Sequence, residues 1–315
     1  MELITLTDSN SDSFLVKISG EKRDRHILID GGYRQDARRA LALIESAIEK
    51  NKQIDLVVLT HVDTDHINGL LAIFNNDKVT SSTIGKVLFN VPHNDSEMVA
   101  LKEKTTQCGY HDGNKLLKII LDKDIPLEKA VQGDVHFIDG DIEIKILAPN
   151  STALEKDHKA WRDTNIGYEA EPEYDKDMLI NEVYQEDEKP QNVSSIVCLI
   201  EANNKRILMC GDSVPSQILG GVKGITPVDL LKIPHHGSKY NINSELLSTF
   251  PSKKFLIPGS RTGYPNHYTI ALIEDISENS IVYAPCRSWV HKNKLNKDIG
   301  INFESYEVGT EIHLC

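Results

Sequence analysis

The chain has 315 residues, with 47 acidic side chains against 35 basic ones and a formal net charge of −12. That length fills one large domain or two small ones. The acidic balance disfavours tight binding of duplex DNA and leaves open an acidic substrate that meets metal ions first. Aromatic residues are only 6% of the chain within a 40% hydrophobic fraction, so aliphatic side chains dominate, which suits an α/β core better than an all-β one. The cysteines Cys108, Cys198, Cys210, Cys286 and Cys315 are odd in number and lack C-x-x-C spacing. That is the usage of reduced thiols in a cytosolic protein. The N-terminal MELITLTDSN shows no basic stretch ahead of an apolar one, and no apolar run approaches a membrane span. A soluble cytoplasmic protein without a membrane partner is expected.

In chain order, residues 2–6, 13–18 and 26–30 read as strands, the last stopped by Gly31-Gly32. Residues 36–50 read as a helix, with Ala37, Leu41, Ile44 and Ile48 at helical spacing. The unbroken apolar run of residues 55–60 predicts a buried parallel strand that ends at HVDTDH. A helix starting near His66 follows it. Residues 86–90 read as a strand, and 96–123 as helix with a break at Gly109 to Gly113. Residues 135–138 and 143–147 pair around Asp139-Gly140-Asp141. Residues 150–190 are rich in Asp and Glu and poor in aliphatics, and read as an acidic insertion, a solvated loop within one domain spanning 1–315. Strands at 194–201 and 206–210, a short helix at 214–221 and a strand at 229–233 lead to Pro234-His235-His236-Gly237. A helix at 243–250, a strand at 254–258, a helix at 267–277, a strand at 282–284 and strands after 300 close the chain.

His61, Asp63, Asp65 and His66 fall within six residues at the end of a buried strand. In an extended turn, residues two apart point the same way, so His61, Asp63 and Asp65 converge, and His66 joins them from the first turn of the helix. Two imidazoles and two carboxylates make a site for divalent cations. The plainer reading, a polar helix cap by Asp63 or Asp65, needs one such residue and leaves the other three unexplained. Asp212 ends the strand ILMCGD, where a carboxylate can bridge two cations, although Gly-Asp is also an ordinary turn pair. His235 and His236 point in different directions. One binds metal and the other faces substrate, and the sequence leaves open which. The assignment adopted is His236 to metal and His235 to catalysis. The single histidines His26, His93, His111, His136, His291 and His313 read as ordinary surface or structural residues.

HVDTDH resembles the HxHxDH signature of the metallo-β-lactamase superfamily, with Asp63 where the middle histidine usually stands. ILIDGG at Asp30, LMCGDS at Asp212 and KIPHHGS are similar to that family's remaining motifs, in the same order. The set is most similar to the hydrolase domain of bacterial competence DNA-uptake channel proteins and to phosphorylcholine esterases. The resemblance implies an αββα four-layer sandwich. It implies a first cation on His61 and Asp63, a second on Asp65, His66 and one of His235 or His236, and Asp212 between them. Many members have a further histidine for the first cation. Asn192, within QNVSS, stands near that place as a substrate-side residue, and His158 is its rival. SRTGYPNHYT resembles the family segment after PHHGS, which makes His267 a candidate at the substrate and Arg261 a candidate for holding a phosphate oxygen.

The chemistry that fits is hydrolysis by a hydroxide bridging two divalent cations, zinc or manganese, with Asp65 serving that centre and His235 or His267 protonating the leaving group. An oxygen ligand at Asp63 tilts the choice towards manganese. The expected substrate is a phosphodiester, in a nucleic acid, a nucleotide or a headgroup. The competing readings are hydrolysis of an ester, lactone or amide on the same fold, and a degenerate binding module, against which the intact ligand set argues. The oligomeric state has no signature in the sequence.

Overall fold

The first half of the chain runs β1 (Glu2–Thr5), β2 (Phe14–Ile18), β3 (Arg25–Ile29), α1 (Ala37–Asn51), β4 (Leu56–Leu59), α2 (Thr64–Phe74), β5 (Val87–Phe89), α3 (Cys108–Asp122) and β6 (Leu127–Glu128). The second runs β7 (Val135–Ile138), β8 (Ile142–Ala148), α4 (Ser151–Ala160), α5 (Lys176–Ile180), α6 (Pro190–Val193), β9 (Val197–Ala202), β10 (Lys205–Met209), α7 (Pro215–Gly220), β11 (Leu230–Lys232), α8 (Ser244–Thr249), β12 (Lys254–Leu256), α9 (His267–Ile276), β13 (Ser280–Pro285), β14 (Ile301–Tyr306) and β15 (Glu311–His313). The computed structural model describes residues 1–51, 53–91, 108–160, 174–260, 263–292 and 299–314.

These strands form two sheets, ordered β15-β1-β2-β3-β4-β5-β6 and β14-β13-β12-β11-β10-β9-β8-β7. Each is antiparallel at its start and parallel from β3 or β10 onward. The apolar runs are continuous because both faces of each sheet are covered. In β4, Leu56 and Val58 face the other sheet while Val57 and Leu59 face the helices. In β9, Cys198 and Ile200 face inward, and Val197 and Leu199 face the outer helices. Three apolar layers result, one between the sheets and one under each helical layer. This is the four-layer αββα sandwich.

Two expectations need correction. The break expected at Gly109 to Gly113 is absent: α3 runs unbroken from Cys108 to Asp122. Gly109 serves a close approach, since a Cβ there would fall 2.6 Å from the Val62 carbonyl oxygen. Residues 96–107 lie outside the described residues. The acidic segment is no plain solvated loop either, since it contains α4 and α5. Its buried Asp157 accepts a hydrogen bond from the Tyr110 hydroxyl of α3 at 2.9 Å, which ties α4 to the first half.

Helix α2 is clamped to the turn after β3. Gly31 N donates to His66 O and Gly69 N to Gly32 O, each at 2.8 Å. A Cβ on Gly69 would lie 1.7 Å from the Gly31 carbonyl oxygen. Gly69→Ala should therefore destabilise the fold by about 1–3 kcal/mol, the usual cost of overpacking, seen as a lower urea midpoint at unchanged slope. An unchanged midpoint would mean that this turn yields freely.

A second expectation concerns pH. Burial pushes the Asp157 carboxyl up to about 6 from an ordinary 3.8, and the Tyr110 hydrogen bond offsets only part of that. The folded chain thus binds more protons than the unfolded one between about pH 4 and 6, so stability falls as pH rises through that window. Asp157→Asn should remove the loss, gaining up to about 3 kcal/mol at neutral pH and flattening the profile. Parallel pH–stability curves for the two proteins would show that Asp157 is not its source.

Candidate metal centre

Strand β4 ends at Leu59, and the chain turns through Thr60–Asp63 into α2. Asp63 occupies the N-cap position of α2, but its side chain makes no capping bond. The capping explanation for Asp63 therefore fails. Its carboxylate turns instead to the Lys189 ammonium just before α6.

The two histidines of this turn are held with one ring nitrogen engaged and the other released. The Thr60 hydroxyl donates to Asp30 Oδ2 at 2.7 Å and accepts from His61 Nδ1, 3.1 Å away. His66 Nδ1 donates to the other side of the same Asp30 oxygen at 2.8 Å. In the neutral form of either ring Nε2 is then the lone-pair nitrogen, the state that a metal needs. His61 Nε2, His66 Nε2 and Asp212 Oδ1 are all buried without a hydrogen-bond partner. His66 Nε2 stands 3.4 Å from Asp212 Oδ1, and His61 Nε2 3.7 Å from Asp212 Oδ2. The ligand atoms offered by His61, His66 and Asp212 lie within 4.8 Å of one another. Orphaned buried polar atoms of complementary type are costly unless something binds them, so this set fits a divalent cation.

The second sheet brings its own half. Asp212 follows β10, and His235 and His236 form the turn after β11 with φ of 46° and 54°. Two successive non-glycine residues in the left-handed region store backbone strain, a recurrent property of functional turns. His236 Nε2 lies 3.0 Å from Asp65 Oδ2, and its Nδ1 lies 3.5 Å from Asp12 Oδ1. His235 Nδ1 donates to Asn241 Oδ1 at 3.0 Å, which leaves Nε2 facing Asp212 Oδ2 at 3.7 Å. Both rings therefore reach the centre, by different routes. A second mutually close set, Asp12, His66 and His236, adjoins the first.

Electrostatics follow from this crowding. Burial, and then the neighbouring His66, push His61 well below its ordinary value, so it is a neutral ligand. Burial opposes charge on His66, but Asp212, Asp30 and Asp12 together hold it well above the ordinary value. Metal uptake at that nitrogen must therefore release a proton. For Asp212, burial is outweighed by His235, His66 and His236, which keep it well below the carboxylate range. His235 is likewise raised, burial being overcome by Asp212, Asp187 and Asn241.

Of the residues singled out from the sequence, the structure brings together His61, Asp63, Asp65, His66, Asp212, His235 and His236. Asn192 is fully buried, donating from Nδ2 to Asp187 Oδ2 at 2.6 Å with His235 Nδ1 3.4 Å away. It braces the histidine turn and offers no surface to a substrate, which corrects the substrate-binding assignment. His267 opens α9 with its ring 4.9 Å from Trp289 and 5.8 Å from Tyr174. The ring placed beside His235 and His236, at 5.6 and 6.2 Å, is that of Tyr264. Arg261 lies outside the described residues. His158 sits in α4 and joins neither ligand set.

Sequence reasoning missed Asp12, Lys189, Lys232, Asp187, Asn241 and Tyr264. Lys232 carried a readable signal, a lysine inside the apolar run LLKI. It is fully buried, paired with Asp12, and donates to Gly211 O at 2.7 Å. The others lie in turns whose pairing depends on the tertiary fold.

A two-sheet sandwich carrying a histidine–aspartate cluster where the turns of both sheets meet defines the class of metal-dependent hydrolases. The profile of the Metallo-beta-lactamase superfamily matches residues 6–258, and the chain belongs to that superfamily. It is 22% identical over 232 residues to ComE operon protein 3 of Bacillus subtilis (strain 168), which covers 73% of this chain and 23% of that protein. The chain thus spans under a quarter of that relative's length. Among solved structures, Zn(2+)-bound PqqB from Methylobacterium extorquens is 11% identical with a TM-score of 0.49, covering 100% of both chains. The metallo-beta-lactamase fold protein YhfI from Bacillus subtilis is 11% identical with a TM-score of 0.48, covering 99% of this chain and 98% of that one.

Asp30→Asn tests the histidine geometry. An amide nitrogen turned to His66 opposes its Nδ1–H and favours the tautomer that puts the proton on Nε2. Divalent-cation affinity by titration calorimetry should fall about 10–100-fold. An unaltered Kd would remove Asp30 from the centre.

Proposed function

We propose that this chain is a phosphodiester hydrolase whose centre works with manganese at least as well as with zinc. The observation that carries the reading is the oxygen-rich surround of the centre: Asp12, Asp65 and Asp212 about His61, His66 and His236, with Asp63 standing where the motif usually has a further imidazole. More carboxylate and less imidazole favours the harder cation. Resemblance of the motifs from Asp30 through Pro234-His235-His236-Gly237 to diester-cleaving relatives supports the same direction. The net charge of −12 argues for a single strand, a nucleotide or a headgroup over a duplex. The buried free thiols of Cys198 and Cys210 suit a reducing compartment such as the cytoplasm. No helix among the described residues is long and apolar enough to cross a membrane.

When bound, a divalent cation supplies Lewis acidity, acidifying water and withdrawing charge from substrate oxygens. The residues supply the rest. Asp30 and Thr60 fix the imidazoles of His66 and His61. His235, held charged by Asp212 and Asp187 and steered by Asn241, is the proton donor to the leaving oxygen. Burial pushes the Tyr264 phenol up to about 12, so it stays protonated beside both histidines and offers a hydrogen bond to a non-bridging oxygen.

Metal-stripped protein reconstituted separately with manganese and zinc should cleave bis(p-nitrophenyl) phosphate, single-stranded DNA or cyclic nucleotides, and leave a lactone panel untouched. Lactone turnover without diester cleavage under either metal would reverse the reading. Asp212→Ala should abolish turnover. His235→Ala should cost about 10²–10⁴-fold on a poor leaving group and much less on p-nitrophenolate, which needs no proton. Equal losses on both substrates would remove His235 as the acid.

A further inference from the structure

Asp63 was expected to hold a first cation with His61, and Asp212 to bridge it to a second. The structure does not bring those atoms together in that way. Asp63 Oδ2 lies 3.9 Å from His61 Nε2, yet Asp63 is absent from the two buried mutually close ligand sets among the described residues, which comprise His61, His66 and Asp212 in one and Asp12, His66 and His236 in the other. Its carboxylate is spent on the Lys189 ammonium, brought from 126 residues away. Lys189 is mostly buried, its side chain 17% exposed. Asn192, near the place expected for a further nitrogen ligand, is turned to Asp187 instead. Among the described residues, the donor set for a first cation is thus short of a nitrogen, and its Asp63 carboxylate already faces a positive charge. A divalent ion placed on Asp63 would stand against an ammonium sharing the same oxygen, and like charges in a partly desolvated site repel strongly.

We propose that the Lys189 ammonium takes the place of the first cation, so that the chain binds one divalent ion, on His61, His66 and Asp212 with Asp65 and His236 beside them. The inference rests on the metal-centre reading above. Lys189 then supplies the second positive charge of the centre. It attracts an anionic substrate and donates hydrogen bonds to its oxygens, but it cannot acidify water as a metal does. The proton and attack chemistry is left to one ion and to His235. This arrangement also makes the centre less dependent on metal supply, because part of its positive charge is covalently part of the chain.

The test is a count of metal, independent of any substrate. The full chain is stripped with chelator, loaded with excess manganese or zinc, desalted and measured by elemental analysis, with anomalous diffraction to locate the ions. The wild type should hold one equivalent, at His66 and Asp212. Lys189→Ala should hold two, the second beside Asp63, while Lys189→Arg, which keeps the charge, should stay at one. Circular dichroism of each variant checks that it is folded, and the wild-type count needs no variant. Two equivalents in the wild type, or one in a folded Lys189→Ala, would overturn the proposal. No metal in the wild type would overturn the metal-centre reading and this inference with it, an outcome distinct from a count of two.

Discussion

Asp12, Asp30 and Asp212 are each no more than 2% exposed, and they stand around one imidazole, that of His66. Carboxylates taken out of water must be paired or protonated. Nearly every other choice at the centre answers that constraint. Asp30 receives the Thr60 amide and hydroxyl as well as His66. Asp12 is matched by a fully buried lysine at the end of β11, an expensive residue to place there without such a partner. Asp212 is surrounded by three imidazoles. The buried anions are what turn the histidine nitrogens towards the centre, and a cation in their midst completes the balance.

The sandwich was legible in the chain because its strands are covered on both faces, and continuous apolar runs such as Leu56–Leu59 followed by polar turns leave little choice of architecture. The metal cluster was legible for a related reason: HVDTDH packs ligand-type side chains into one turn, which a helix cap does not require. What escaped was whatever needed a partner far away in sequence. Asp12 sits in an ordinary serine-rich turn, and only the arrival of Lys232 and His236 gives it a role. Lys189 reads as one charge among many in an acidic stretch until α6 carries it to Asp63. His267 and Tyr264 differ by three positions in one segment. Which of the two rings faces the histidines depends on where α9 begins, since His267 is its first residue and swings to Trp289. The glycines misled in a similar way. Gly109 looked like a helix breaker and is instead the point where α3 touches the metal-bearing turn.

The acidic segment illustrates how a fold and its chemistry separate. The described residues of the segment 150–190 contribute no strand to either sheet, yet the stretch ending at Pro190 delivers Asp187, Lys189 and the brace around Asn192. The sheets fix His61, His66, Asp212 and His236. The segment sets the charge that meets them. Changes there retune the centre without disturbing any strand pairing.

The centre has one more property, which follows from the division of its residues between the two sheets. Asp65 and His236 meet across 171 residues of chain, and neither sheet alone possesses both halves. A polypeptide emerging from the ribosome carries HVDTDH long before the turn that answers it exists, and contacts of such separation form late. The growing chain is therefore chemically silent until its last third has docked. From that moment, ion capture would reward only the completed sandwich, so that a bound metal would act as a latch on folding.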